Sequence, residues 1–351
     1  MTNSIEITKA NTSKIQDVDF ENLSFGKVFT DHMFTCDFKD GVWQKPEITP
    51  YAPLTLDPSA RVFHYGQAVF EGMKAYKDDN DDVWLFRPKD NLARINKSAE
   101  RLAMPAFPED VFMDGLKALI NLDKDWVKPG FGNSLYIRPF VIATEPAIAA
   151  SPAVEYKFLI ICSPAQSYYS GDVRVLVAEQ FSRSANGGVG YAKAAGNYAA
   201  QFYPTNLANQ EGFQQIIWTD ADKHEYLEEA GTMNVFFRIN DTLVTAPTSE
   251  RILDGITRKS IIQIAQDSGI TVDVRPVKVT EIVEASKNGS LKEIFGSGTA
   301  AVVSPISAFS HKGELFEIPK QDKRYSDTFK EKLNGIQYNK TEDPYGWRES
   351  I

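Results

Sequence analysis

Between Asn186 and Tyr198 the chain reads N-G-G-V-G-Y-A-K-A-A-G-N-Y, and this stretch constrains the fold more than any other. Three glycines crowd the N-terminal flank of Lys193, and Gly196 follows it. Glycine permits positive φ and close backbone approach, so such a stretch can wrap a bulky flat ligand. Tyr191, Ala192, Ala194 and Ala195 pad the lysine with apolar and aromatic atoms. An amine desolvated in this way loses part of its preference for charge, and its pKa falls from ~10.4 towards neutrality. That makes it an imine-forming nucleophile. An isolated lysine is more often a solvated surface residue, and the other stretches of the chain decide against that reading here.

The 351 residues exceed the usual size of one domain, so two domains are expected. With 42% hydrophobic and 12% aromatic residues the chain can bury a sizeable core. A net charge of -9 leaves no basic surplus to displace counterions, which argues against nucleic acid as a partner. An anionic cofactor must then be held by local groups rather than by a global field. Cys36 and Cys162 sit far apart in apolar runs and form no C-x-x-C pair, so no metal site or disulfide framework is suggested. The start, M-T-N-S-I-E-I-T-K-A, has no hydrophobic core segment and is not a signal peptide. No run approaches the ~18–20 apolar residues of a membrane span. A cytoplasmic protein is expected.

Along the chain, Val28–Phe38 reads as a strand and Lys39-Asp40-Gly41 as a hairpin turn. A proline-containing connection leads to a second strand pair, about Ala68–Tyr76 and Val83–Phe86, split by the acidic turn Asp78 to Asp82, which reads as solvated. A helix from near Asp90 carries the stripe Leu92, Ile95, Ala99 and Leu102, and a second runs from about Pro108 to Asp123. Asn133–Thr144 and Tyr156–Ser163 are strands. The polar stretch Pro164 to Asp172 suggests the boundary, giving a small α+β domain over 1–165, a linker over 166–172, and a large α+β domain over 173–351 carrying Lys193. In the second half Val173, Val175 and Val177 alternate as a strand, and a helix follows Lys193. Gln214–Thr219, Val235–Ile239 and Ile270–Val274 read as strands, and Thr257–Asp267 as a helix closed by Gly269. Thr280 can cap a short helix ending near Lys287, and a last helix covers roughly Ser326–Leu333. The pattern is α+β rather than strict βαβ, which disfavours a doubly wound nucleotide fold.

Six motifs, F-G-K-V-F-T-D-H-M, H-Y-G-Q-A-V-F-E-G-M-K-A-Y, L-Y-I-R-P, the lysine stretch, E-A-G-T-M-N-V-F-F and F-G-S-G-T-A, occur in that order from about Phe25 to Trp347. In them the chain resembles the branched-chain-amino-acid aminotransferases, pyridoxal-phosphate enzymes of fold type IV. The resemblance implies a two-domain α+β fold with pyridoxal 5'-phosphate between the domains. It implies a homodimer that moves the amino group of leucine, isoleucine or valine to 2-oxoglutarate by a ping-pong route, giving 2-oxo acids and glutamate. A D-amino-acid aminotransferase or an aminodeoxychorismate-lyase-like enzyme of the same fold is the alternative, and L-Y-I-R-P and E-G-M-K-A-Y favour the branched-chain branch.

Such a cofactor requires a lysine, an anion site and a partner for its pyridine nitrogen. The resemblance assigns Lys193 as the catalytic lysine. Gly255-Ile256-Thr257-Arg258 opens a helix, so the Ile256 and Thr257 amides suit a phosphate, and Gly296-Ser297-Gly298-Thr299 offers a second nest with a hydroxyl. Each alone would be an ordinary turn; the resemblance makes them phosphate contacts and adds Thr232 to the cofactor set. Arg94 lies off its helix's apolar stripe, as on a solvated face, and by resemblance reaches the phosphate. Of Glu228 and Glu229, the motif spacing selects Glu229 for the pyridine nitrogen, and strand alternation puts one inward and one outward. Tyr198 matches the tyrosine on the cofactor's phenolic oxygen.

Phe25, Tyr65, Phe70, Tyr136 and Tyr168 match pocket positions, and the Thr299 and Ala300 amides would hold the α-carboxylate. Arg138, two residues from Tyr136 and so on the same strand face, can meet a second carboxylate. Eukaryotic members carry a Cys-x-x-Cys redox switch where this chain has Ala301 and Ser304, which implies a bacterial-type enzyme without that control.

Overall fold

The computed structural model describes residues 4–166 and 173–351. Beyond Gln166 the expected linker lies outside the described residues, and so does Tyr168. The chain divides into two compact units. One comprises Met1–Tyr168, Ala192–Gly196 and Asn334–Ile351, the other Tyr169–Tyr191 and Asn197–Leu333. Together with their helices the units make an α+β protein.

At the centre of the first unit, Ser134–Ala143 and Tyr156–Ala165 pair antiparallel from Ser134 opposite Ala165 to Ala143 opposite Tyr156. Both are apolar along most of their length, as befits strands covered on both faces. His32–Lys39 flanks Tyr156–Ala165, while Met73–Lys77 and then Val83–Phe86 extend the sheet from Ser134–Ala143. The hairpin turn at Asp40-Gly41 forms as the sequence suggests, with positive φ at both residues and Lys39 opposite Val42. Helices Pro88–Arg101 and Glu109–Leu122 bury apolar stripes, Leu92, Ile95 and Ala99 on the first and Phe112, Leu116 and Leu119 on the second, in one core with Phe34 and Phe158.

Two local expectations change. The run expected as one strand, Ala68–Tyr76, is two, Ala68–Phe70 and Met73–Lys77. Register carries through, with Phe70 opposite Phe140 and Met73 opposite Ile137. Pro139 accepts the Glu71 N–H at 2.7 Å but has no N–H to give back, so the pairing is halved and the strand breaks at Glu71-Gly72. The acidic turn is solvated only in part. Asp78 is buried and accepts hydrogen bonds from the Asn80 and Asp82 amides, the Trp84 indole and Asn339.

In the second unit a sheet closes on itself. Met233–Ile239 pairs with Leu291–Gly298, which pairs with Val302–His311. Val173–Val177, Gln215–Thr219 and Tyr226–Ala230 follow, and the last returns to Met233–Ile239 through Glu229 opposite Asn234. Within this ring of described strands, only the two edges of Val173–Val177 are parallel. This six-stranded barrel encloses Val173, Val175, Ile217, Val235 and Ile294. Helix Ile256–Asp267 starts after Gly255, and the chain leaves it through Gly269 with φ +73. Thr280 is not a cap: helix Val279–Lys287 starts ahead of it because the Val279 N–H is taken by the Glu225 carbonyl, leaving Lys278 at the cap position. The last helix, Tyr325–Gln337, runs past the expected Leu333.

Candidate active site

The sequence placed Lys193 with residues 173–351, but its segment packs in the first unit. The backbone explains this. The Lys193 N–H donates to Ser98 Oγ at 2.9 Å, its carbonyl accepts the Phe70 N–H at 3.1 Å, and Ala194 bridges to Val69. The Lys193 Nζ lies 4.4 Å from the centroid of the Phe70 ring. Ser98, buried on helix Pro88–Arg101, donates in turn to the Arg94 carbonyl at 2.8 Å.

Arg94 does not sit on a solvated helix face. Its Nε and Nη2 grip Glu71 at 2.6 and 2.9 Å, and this carboxylate also accepts from Asn91 at 2.8 Å and the Gly72 amide at 3.1 Å. Burial pushes the Glu71 carboxyl up, but Arg94, aided by Lys193 and the Asn91 hydrogen bond, holds the group below the usual carboxylate range. Burial pushes the Lys193 amine down to about 8, with Glu71 opposing and Arg94 assisting the fall.

Around this lysine the structure gathers Phe70, Tyr136, Arg138 and Phe25. Arg138 Nη2 donates to the Tyr136 hydroxyl at 3.0 Å, and its guanidinium carbon lies 4.7 Å from the Phe70 ring centroid. Phe25 sets its edge to Tyr136 at 5.0 Å. A β-carbon at Gly72 would collide with the Tyr136 hydroxyl, so only glycine lets that ring close in. Tyr65 is not gathered with them. It ends the short helix Arg61–Tyr65, and its hydroxyl donates to the Ile148 carbonyl.

In the second unit, Glu229 stands on the closing strand of the barrel. It accepts from Asn234 and from the Leu253 amide, both at 3.1 Å, and forms a buried pair with Arg183 Nη1 at 2.6 Å. Arg183 also donates to the Gly190 and Arg251 carbonyls, tying the glycine loop to this carboxylate. Gly190 is itself pressed against the Arg251 carbonyl, where a β-carbon would not fit. Sequence reasoning missed Arg183; its signal was an arginine standing alone in the small-residue run S-R-S-A-N-G-G.

Glu228 does not point outward to water. It is buried against Arg251, whose Nε approaches to 2.5 Å without the alignment of a hydrogen bond. Burial first, then the neighbouring Glu229, pushes its carboxyl up to about 7 against the pull of Arg251.

Ile256 and Thr257 open helix Ile256–Asp267, where first-turn amides have no partner within the helix. The expected nest at Gly296–Thr299 is instead strand through Gly298, and the turn is Thr299-Ala300-Ala301, because Gly296 to Gly298 pair with Ser304 to Val302. Ser297 Oγ is buried with no hydrogen-bond partner among the described residues. Thr232 lies exposed in the turn before Met233–Ile239, and Tyr198 in the first turn of helix Ala195–Gln210.

Residues 68–309 match the family model described as amino-transferase class IV, which takes in the Lys193 segment, Arg94, five barrel strands whole and most of Val302–His311. Fold and site thus define a class IV aminotransferase, of fold type IV. Branched-chain-amino-acid transaminase 1 of Bacillus subtilis (strain 168) is 46% identical over 341 residues, covering 95% of each chain. Branched-chain-amino-acid aminotransferase 2 of the same organism is 43% identical over 356 residues, covering 99% of this chain and 96% of its own. The chain belongs to the branched-chain-amino-acid aminotransferase family. Among solved structures, the Escherichia coli branched-chain amino acid aminotransferase superposes with a TM-score of 0.74 at 22% identity, covering 91% of this chain and 98% of that one. The branched-chain aminotransferase of Thermoproteus uzoniensis, solved with norvaline, gives 0.75 at 24% identity over 91% and 99%. At those identities the likeness speaks for the fold alone.

Proposed function

We propose that the chain transfers the amino group of L-leucine, L-isoleucine and L-valine to 2-oxoglutarate, with pyridoxal 5'-phosphate carried by Lys193. The observation that carries this is the clamped lysine: both sides of its peptide are hydrogen-bonded, and its amine is lowered to about 8. The residues present fit the cofactor. Ser297 Oγ is an orphaned buried donor, and the helix start at Ile256 and Thr257 presents amides suited to a phosphate.

When bound, pyridoxal phosphate supplies an electron sink for the breaking Cα–H bond of an amino acid. Ile256, Thr257, Thr232 and Thr299 would hold the phosphate. Arg94 would join them as an oriented donor rather than a net charge, since Glu71 already neutralises it. Glu229 would keep a proton on the pyridine nitrogen, and Tyr198 would donate to the phenolic oxygen. With a pKa near 8, the Lys193 Nζ is a free base in part of the population near neutral pH, so it can take the Cα proton and return it. The Thr299 and Ala300 amides would orient the substrate carboxylate. Phe25, Phe70 and Tyr136 would line an apolar slot, with Tyr65 and Tyr168 added to it, and Arg138 would stand ready for the second carboxylate of 2-oxoglutarate.

A homodimer fits the apolar patch of Phe63, Tyr65 and Ile148, which are 61%, 48% and 68% exposed. Cytoplasmic placement is proposed with it; no helix among the described residues is long and apolar enough to cross a membrane. The test is a steady-state panel of L-leucine, L-isoleucine, L-valine and D-leucine with 2-oxoglutarate as acceptor. The three L-donors turn over and D-leucine does not; a preference for D-leucine, or no turnover of any donor, overturns the reading.

A further inference from the structure

A closed circuit of contacts runs through the lysine site. Lys193 donates its N–H to Ser98, and Ser98 donates to the Arg94 carbonyl. The Arg94 side chain grips Glu71, and Phe70, next to Glu71, returns its N–H to the Lys193 carbonyl. Glu71 has no solvent exposure, and its N–H donates to the Pro139 carbonyl of the neighbouring strand. A carboxylate in such a place costs free energy unless a nearby charge needs it.

We propose that Glu71 is a positioning residue of the lysine site: gripping Arg94 through Nε and Nη2, it cancels the guanidinium charge that would otherwise bear on the Lys193 amine. The proposal rests on Lys193 being the reactive amine, as read above. The charged and titratable groups bearing on that amine are Glu71 at the strand lapse, Arg94 on helix Pro88–Arg101, and Tyr136 and Arg138 on strand Ser134–Ala143. Glu71 favours the ammonium form; Arg94 and Arg138 disfavour it. Removing the Glu71 charge leaves two guanidiniums unopposed. Removing the Arg94 charge instead leaves the carboxylate unopposed. The two substitutions therefore move the amine in opposite directions, which a residue that merely braces the fold would not do.

The experiment labels Lys193 in the full-length, cofactor-free chain with trace acetic anhydride across pH 6–10. Mass spectrometry of the peptide containing residue 193 gives the midpoint. Glu71→Gln should lower the midpoint by about one pH unit or more, and Arg94→Gln should raise it by a similar amount. The double variant should return near wild type, and Glu71→Asp should recover most of the shift. An unchanged or raised midpoint in Glu71→Gln overturns the proposal, as does a double variant that stays displaced. Should Glu71→Gln fail to fold by circular dichroism, Arg94→Gln decides alone, and an unchanged or lowered midpoint there is equally fatal. Borohydride fixation of pyridoxal phosphate on wild-type protein is run in parallel. Failure to mark Lys193 would refute the functional reading, while the midpoints would still decide the role of Glu71.

Discussion

Glu228 and Glu229 leave the strand Tyr226–Ala230 on opposite faces, yet neither reaches water, and each has its own arginine. Their roles separate on substitution. Glu229→Gln should retain the cofactor and lose most of kcat, whereas Glu228→Gln should be mild in kinetics; the reverse pattern would mean that the other glutamate serves the pyridine nitrogen. Glu228→Gln should instead alter the pH dependence of stability. The folded carboxyl titrates near 7 against a reference of 4.5, so the folded chain binds the proton more tightly than the unfolded one. Its contribution is fully present below about pH 4.5 and is lost as pH rises through about 7, at up to about 1.4 kcal/mol per unit. Urea unfolding at pH 5 and pH 8 reads this slope, which the glutamine variant should flatten. Arg138 carries the second residue-scale prediction. Removing one partner of a desolvated charge pair costs about 2–5 kcal/mol. Arg138→Ala should therefore lower kcat/KM for 2-oxoglutarate by at least about thirty-fold, at ~1.4 kcal/mol per tenfold. The single-turnover half-reaction with leucine should change far less. Because Arg138 also donates to the Tyr136 hydroxyl, equal losses in both half-reactions would show it to be a brace for that ring.

Among the elements, helix Tyr325–Gln337 shows how a distant strand can start a helix. Glu293, on strand Leu291–Gly298, accepts the Tyr325 and Ser326 amides and the Ser326 hydroxyl, and it pairs with Arg238 at 3.1 Å. Glu293→Ala strips the buried acceptor of these hydrogen bonds and the partner of half-buried Arg238, and should cost about 1.5–3 kcal/mol, seen as a lower denaturant midpoint at unchanged slope. An unchanged midpoint would show that the helix start is held by other contacts. No sequence signal announces such a cap, because its donor and acceptor lie far apart along the chain. Elements with a period of their own were legible: the Leu92, Ile95 and Ala99 stripe, the alternating Val173, Val175 and Val177, and the Asp40-Gly41 turn. The lapse at Glu71 was not, since A-V-F-E-G-M-K-A-Y reads as one strand and the interrupting proline lies on its neighbour. At the site, the lysine stretch was legible from its local composition. Ser98, Glu71 and Arg183 were not, because each acts on a backbone or charge that only folding brings near.

At the scale of the whole molecule, both thiols are sealed. Burial raises Cys36 to about 12 and lifts Cys162 well above the usual thiol range, so neither supplies a thiolate for an oxidant at neutral pH. Activity should survive mild peroxide, and inactivation reversed by a thiol reductant would contradict this. The barrel has a consequence of another kind, in the order of its making. Val173–Val177 lies between Gln215–Thr219 and Val302–His311, and the latter leaves the ribosome well over a hundred residues later. At roughly 5–20 residues per second, one edge of that nascent strand stays bare for on the order of ten seconds. Until Val302–His311 arrives the seam cannot shut, and Glu229, though already made, stands on an open sheet instead of a closed wall. The last barrel strand to be synthesised is thus the one that closes the ring, and a chain stopped short of it would expose a valine-rich edge to its neighbours.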